Sequence, residues 1–253
     1  MIALIASCKK ENTVDNATKP VVIGYLIPGQ SISLRVYSQK GLSDTATYGT
    51  PITGLTPSVS DGSKTVQLTD SGNGIYTYND LSFVSSGKTY QLKFTYNSLP
   101  VTATTSVPSK PVGFTASKTL INLPTGSTIS PQATDSIAVT FKWKNPDSLY
   151  HVIVFKNDDS SPFNIHPQFN AAVNFTINAK KAEYYNVYYR TFNYIGIYRA
   201  ILWSVSEDYI NMLKTNANTS SQRLTDAPTN IINGYGIFSG MQSDTIKLQL
   251  TQY

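Results

Sequence analysis

The sequence has little charge, almost no cysteine and no long apolar run. Only 14% of its 253 residues are charged, well below the quarter usual in globular proteins, which argues against helical bundles, coiled coils and charged disordered tails. A single cysteine means that the fold needs no disulfide, even in an oxidising compartment. No window approaches the roughly 18 apolar residues of a membrane-spanning helix.

Catalytic signatures are equally scarce. The sequence contains no nucleophile elbow, no metalloprotease histidine pair and no phosphate-binding glycine loop. Its only histidines are His151 and His166, too few for a histidine-based zinc site or a serine triad. His151 lies in an apolar strand and is interpreted as structural. We therefore expect a protein that is not an enzyme, with no cofactor and no metal.

What the sequence does contain is tyrosine and strand-like alternation. There are 17 tyrosines, and apolar residues alternate with polar ones in Ser31 to Tyr37 and Thr89 to Tyr96, as in half-buried strands. Shorter strands are predicted at Val21 to Leu26, Thr65 to Leu68, Gly74 to Tyr78 and Val101 to Val107. Residues 20–110 are thus predicted to form an immunoglobulin-like β-sandwich, which ends at the prolines 108 and 111.

Residues 111–253 are predicted to form a second β-rich domain. Ile137, Val139, Phe141 and Trp143 alternate, and a helix is predicted near residues 206–214 because acidic residues occupy its first turn. The last strand is expected from Asp244 to Leu250. The fold class is therefore mainly β, with two β-sandwich domains of the immunoglobulin or fibronectin kind in tandem, the second with one short helix.

The first residues resemble the end of a bacterial secretion signal. Residues 1–7 are small or apolar and precede Cys8, as in the lipobox of a lipoprotein. The segment is shorter than a full signal and lacks a basic residue, which indicates a start codon placed too late or a shortened chain. We expect lipidation of Cys8, with residues 8–19 as a tether to the membrane. The alternative is an N-terminus with a chance cysteine.

Two further features bear on partners. The net charge of +5 is scattered along the chain, whereas nucleic-acid binders concentrate basic residues on one stripe, so no nucleic-acid partner is expected. An aromatic block, predicted to form one strand from Tyr184 to Phe192 and another from Ile197 to Val205, supplies the candidate ligand contacts, for a glycan or a peptide. The alternative is that these rings only fill a half-buried sheet surface, which tyrosine favours. The candidates are Tyr184, Tyr188, Phe192 and Tyr198.

The lipobox cysteine and five later segments, spread over nearly the whole chain, together resemble a Bacteroidota-type family of outer-membrane lipoproteins of unassigned function. The segments are Gly87 to Tyr90, Val107 with Pro108, Trp143 to Pro146 with Tyr150, Trp203 to Tyr209, and the glycine-rich segment Gly234 to Gly240. Members of that family are often encoded beside TonB-dependent transporters of the starch-utilisation type, so the resemblance implies an accessory role in nutrient capture. It implies no catalytic residues.

The leading hypothesis is a lipid-anchored, non-catalytic protein of the outer membrane, exposed at the surface or facing the periplasm. It would act as an accessory or ligand-binding partner of a TonB-dependent transporter. A surface adhesin or structural protein is the alternative. A carbohydrate hydrolase comes third, because Glu207 and Asp208 are adjacent at a helix start and do not face each other across a cleft.

Overall fold

The structure is a computed structural model that describes residues 19–39, 48–124, 135–167, 171–216 and 229–252. The predicted mainly β fold with one short helix is confirmed. Cys8 and most of the expected tether lie outside the described residues, so lipidation stays a prediction.

Eight strands come from the described residues of the first part of the chain. In order they are β1 (Pro20–Leu26), β2 (Ile32–Ser38), β3 (Ser58–Ser60), β4 (Thr65–Gln67), β5 (Thr69–Asp70), β6 (Ile75–Tyr78), β7 (Thr89–Tyr96) and β8 (Leu99–Ser106).

The rest of the chain adds nine strands and one α-helix within the described ranges. In order they are β9 (Val112–Ala116), β10 (Leu120–Leu123), β11 (Ile137–Lys144), β12 (Tyr150–Asn157), β13 (Phe175–Lys180), β14 (Tyr184–Tyr188), β15 (Gly196–Val205), α1 (Glu207–Asn216), β16 (Ile231–Ile232) and β17 (Tyr235–Gln252).

A nine-stranded sheet forms one layer of the whole molecule, in the order β13-β12-β15-β17-β1-β2-β6-β5, with β10 added beside β17. A five-stranded sheet, β16-β8-β7-β3-β4, covers one end of its inner face. A three-stranded sheet, β14-β11-β9, covers the other end. We call the two ends the first and the second sandwich.

Strand β17 belongs to both sandwiches. Its first residues pair in parallel with β1, from Val21 opposite Tyr235 to Leu26 opposite Gly240. Its later residues pair antiparallel with β15, from Met241 onwards. The boundary expected at residue 110 stays a prediction, and β17 pairs with strands on both sides of it.

Glycines allow the backbone of β17 to lie close to the backbones of β1 and β8. Gly236 has a φ of +99°, and a Cβ there would lie 2.0 Å from the carbonyl oxygen of Val22. A Cβ on Gly240 would lie 2.5 Å from the carbonyl oxygen of Ser106. The last strand therefore begins nine residues before the expected Asp244, because glycines that normally weaken a strand here permit close backbone contact.

Each sandwich has its own core between its two layers. The first core contains Val22, Leu34 and Tyr76 from the large sheet, packed against Leu92 and Val101 of the five-stranded sheet. The second core is rich in rings, which are contributed by both of its layers. They include Phe114, Phe141, Trp143, Phe155, Phe192 and Tyr198.

The helix covers the outer face of the nine-stranded sheet where the two sandwiches meet. The hydroxyl of Ser206 accepts a hydrogen bond from the amide of Tyr209 at 3.3 Å, so Ser206 caps the helix N-terminus. Ile210 of the helix packs with Val152, Val205 and Met241. The predicted helix is thus confirmed. It packs on the outer sheet face where the two sandwiches meet, which we call the junction.

Two strand predictions need correction. The strand expected from Tyr184 to Phe192 ends at Tyr188 and continues as a 3-10 turn, Tyr189–Thr191. Strand alternation predicts Ile137 on the same face as Trp143, but the register of β11 shifts between Ile137 and Val139. This irregularity leaves Ile137 45% exposed.

Candidate functional site

A group of aromatic side chains lies on the outer face of the nine-stranded sheet, beside the helix. We call it the tyrosine–arginine patch. It consists of Tyr25 from β1, Arg35 and Tyr37 from β2, Tyr48 from the following loop, and Tyr209 from α1.

Strand alternation places these residues outside the core. In β2 the side chains of Leu34 and Val36 are fully buried in the first core, so Arg35 and Tyr37 point to the opposite face. Arg35 lies opposite Ile23 of β1, and Tyr25 lies opposite Ser33. The same alternation that builds the first core therefore presents the patch.

Tyr37 and Tyr48 form a stacked pair. Their ring centroids are 4.9 Å apart with an interplanar angle of 7°, and the stacking buries Tyr37, although it points away from the core, while Tyr48 stays 41% exposed. The Arg35 guanidinium carbon lies 5.6 Å from the Tyr48 ring centroid, and its Nη1 donates a long hydrogen bond of 3.5 Å to the Tyr48 hydroxyl.

Tyr25 and Tyr209 form the part of the patch nearest the junction. Their rings meet edge to face, with centroids 6.1 Å apart. Burial, reinforced by the nearby hydroxyls of Tyr209 and Tyr48, raises the pKa of Tyr25 to about 12. Burial also raises the pKa of Tyr209. Both phenols therefore stay protonated at every physiological pH.

This arrangement suits binding better than proton transfer. Protonated phenols donate and accept hydrogen bonds, stacked rings offer apolar area, and a guanidinium binds carboxylates or ring faces. An acid or base catalyst works best when its pKa lies near the operating pH, whereas these phenols are shifted away from neutrality. The patch has the chemistry of a contact surface.

The four aromatic residues that the sequence suggested as ligand contacts differ in their exposure to solvent. Tyr184 is 60% exposed, whereas Phe192 and Tyr198 are at most 1% exposed and face each other in the second core at 6.1 Å. Tyr188 is half-buried, with the Arg190 guanidinium carbon 5.4 Å from its ring centroid. Only Tyr184 and Tyr188 remain available for ligand contact, which stays a prediction.

Phe192 is buried because the 3-10 turn redirects the chain. The sequence argument extended the two-residue strand period from Tyr184 to Phe192, but β14 ends at Tyr188. After the turn, Phe192 packs against Phe155 and Phe175 at centroid distances of 5.8 and 5.9 Å. Tyr198 points inward from β15, where its hydroxyl donates to the carbonyl of Val173 at 3.4 Å.

A buried polar cluster lies near the junction. Nε2 of His151 is 3.2 Å from the Ser204 hydroxyl, and Nδ1 is 3.1 Å from the carbonyl of Leu149. His151 is 1% exposed, and burial lowers its pKa. Both ring nitrogens have partners inside the protein, which agrees with the expected structural role of this histidine.

Sequence reasoning missed the tyrosine–arginine patch. A signal was present, because Tyr25, Arg35 and Tyr37 occupy the outward positions of strands whose inward positions are apolar. Tyr48 and Tyr209, however, join the patch through a loop and a helix. No local period in the sequence relates those two residues to the strands.

Metal sites and membrane-spanning helices are both absent from the described ranges. Within the described ranges, no group of three or more His, Cys, Asp or Glu side chains is placed to hold a metal ion. No helix of the described part of the chain has the length and apolar character to cross a membrane.

Comparison with known proteins gives a family but no activity. A family model described as "Domain of unknown function (DUF4249)" matches residues 10–247. No curated protein matches the chain.

Solved structures share only low similarity with the chain. The chicken CNTN1 FN1-FN3 domains are 12% identical with a TM-score of 0.30, over 92% of this chain and 65% of that one. Trypsin-activated alpha-2-macroglobulin from Escherichia coli is 11% identical with a TM-score of 0.25, over 75% of this chain and 14% of that one. The chain thus spans less than two thirds of either.

Proposed function

The chain belongs to the DUF4249 family of domains of unknown function, and on that premise we propose that it is a lipid-anchored, non-catalytic protein of the cell envelope. Its anchor is a lipid on Cys8, and its place is the outer membrane, at the surface or facing the periplasm. Its role is that of an accessory or ligand-binding partner of a TonB-dependent transporter in nutrient uptake.

The observation that carries this proposal is the tyrosine–arginine patch. Tyrosine, tryptophan and arginine dominate the binding energy of protein interfaces. The aromatic rings bury a large area while few torsions are fixed, and the guanidinium adds hydrogen bonds and ring stacking. The patch combines four tyrosines with Arg35 on one sheet face, and Tyr48 remains 41% exposed. A protein partner that covers this face gains stacking contacts from Tyr48 and a charged hydrogen bond from Arg35.

The polar side chains of the second sandwich support a non-catalytic role. The carboxylate of Glu183 accepts a hydrogen bond from the amide of Asn145 at 3.2 Å. The Glu207 carboxylate accepts one from the Tyr150 hydroxyl at 3.3 Å. Both carboxylates thus hold structural partners, and His151 is enclosed.

The test is capture of the partner from outer membranes. We expect the tagged protein to recover a TonB-dependent transporter, identified by mass spectrometry, and the double variant Arg35→Ala/Tyr48→Ala to lose most of that recovery. The matched control is Phe163→Ala, which removes a still more exposed aromatic ring, 61% exposed, from outside the patch and should recover the transporter as the parent protein does.

The outcomes separate the alternatives. Recovery of no transporter, together with loss of cell-surface attachment when the gene is deleted, would favour an adhesin. Binding of the parent protein to a glycan array, lost in the double variant, would assign a sugar ligand to the same patch. Radiolabelled palmitate that is still incorporated after Cys8→Ser would refute the anchor.

A further inference from the structure

The chain enters the fold at one end of the first sandwich. Lys19 is the first described residue, and its Nζ lies 5.6 Å from the ring centroid of Tyr235, at the start of β17. The side-chain amide of Asn233 donates to the carbonyl of Pro100 at 2.8 Å, which brings the start of β8 to the same end. We call this end the anchor pole.

The anchor pole exposes apolar side chains. Ile232 is 63% exposed and Leu99 is 40% exposed, although both belong to strands of the five-stranded sheet. Tyr235 is half-buried, and Lys19 is exposed. Lys93 occupies the same row of that sheet as Ile232, because both lie opposite Thr102. Apolar tips, a tyrosine and lysines are the side chains that proteins place at a lipid interface.

The far pole of the molecule lies at the other end of β17. This strand has 18 residues, which at the usual rise of a strand extend over about 55 Å. At the far pole, Leu120 is 53% exposed and Ile197 is 47% exposed, and both line a shallow groove with Lys247 and Gln249. Exposed apolar residues therefore occur at both poles, and only the anchor pole receives the tether.

The length of the tether decides which pole meets the membrane. The eleven residues that follow Cys8 up to Lys19 span at most about 40 Å when fully extended. A lipid on Cys8 thus keeps Lys19, Ile232 and Leu99 close to the bilayer at a high effective concentration. The far pole is under no such constraint.

We propose that the anchor pole rests on the lipid surface, with Ile232 and Leu99 inserted between headgroups and Lys19 and Lys93 facing anionic lipids. This inference rests on the lipid anchor of the proposed function and adds an orientation to it. The far pole then points away from the membrane. The patch, whose Tyr37 lies opposite Val21 near the anchor pole, faces sideways along the membrane, within reach of a transporter in the same bilayer.

The test attaches the protein to vesicles and measures the depth of each pole. Cys8 is the only cysteine, so its thiol can be coupled to a maleimide phospholipid in vesicles of phosphatidylethanolamine and phosphatidylglycerol. An Ile232→Trp variant reports the anchor pole, and a Leu120→Trp variant of similar exposure reports the far pole. Brominated phospholipid quenches tryptophan only at the bilayer.

We expect brominated phospholipid to quench most of the fluorescence of the tryptophan introduced in the Ile232→Trp variant. The fluorescence of the tryptophan introduced in the Leu120→Trp variant should be unchanged. Equal quenching of both variants, or quenching of neither, would overturn the proposal. Because the chemical coupling replaces the natural lipid, these outcomes do not depend on lipidation in the cell, which palmitate labelling tests separately. Circular dichroism of both variants verifies that the exposed substitutions leave the fold intact.

Discussion

Two groups of aromatic side chains lie on opposite sides of the nine-stranded sheet. In the first sandwich, Tyr25, Tyr37 and Tyr48 lie on the outer face, and Tyr48 remains 41% exposed. In the second sandwich, Phe192 and Tyr198 lie on the inner side and are at most 1% exposed.

The difference shows that the sheet face decides what an aromatic residue does. On the inner side a second sheet covers each ring, so its contribution is core packing. On the outer face the helix reaches Tyr25 through Tyr209, and Tyr48 keeps a surface for contact.

Phe192→Ala should lower the free energy of unfolding by about 3–5 kcal/mol, because a fully buried ring is replaced by a cavity. Tyr184→Ala, at an exposed position of the same sandwich, should change it by about 0.5 kcal/mol or less. Urea unfolding followed by circular dichroism measures both. Similar values for the two variants would show that Phe192 is not part of the core.

Gly236→Ala should destabilise the first sandwich by more than about 1 kcal/mol, because φ is positive and the new Cβ would collide with the Val22 carbonyl. Gly62→Ala is the control, since Gly62 also has a positive φ but a Cβ there would meet no atom within 4 Å. If thermal unfolding gave the same loss for both, the closeness of β17 to β1 would be refuted.

Acid should destabilise the second sandwich through His151. Burial lowers the folded-state pKa of His151 below its ordinary value of 6.5, so the unfolded chain binds the proton first. Stability is then complete above pH 6.5 and falls as the pH drops towards the folded pKa. Urea midpoints between pH 8 and 5 should show this fall in the parent protein and a smaller one in His151→Gln.

Tyr48→Ala should lower the free energy of unfolding by about 1 kcal/mol, which is the contribution of a stacked ring pair. Its effect on capture of the transporter should be much larger, because the exposed ring is a contact residue in our proposal. Unfolding and capture are measured on the same preparation. A large loss of stability would show that Tyr48 mainly stabilises the fold and is not primarily a contact residue.

The alternating strands could be predicted because their burial has a local cause. In β7 every second residue from Tyr90 to Phe94 is buried, as the apolar and polar alternation indicates. The helix was also predictable, since Ser206 and the acids after it act within one turn.

The pairing of β17 with β1 could not be predicted, because it joins residues more than 200 positions apart through backbone contacts at glycines. The patch was missed for a related reason, since the Tyr48 and Tyr209 rings reach it through tertiary structure alone. Conversely, Phe192 looked accessible only because a strand period was continued through a turn.

The parallel pairing of β1 with β17 has a mechanical consequence. In the anchored protein that we propose, a pull on Lys19 from the membrane, resisted by a load on the second sandwich, would act along the axes of both strands. The backbone hydrogen bonds that join the six residue pairs from Val21 to Leu26 lie across that direction and are strained together in shear, so none can be opened singly. A tethered protein built in this way withstands flow and traction best along the line of its own anchor.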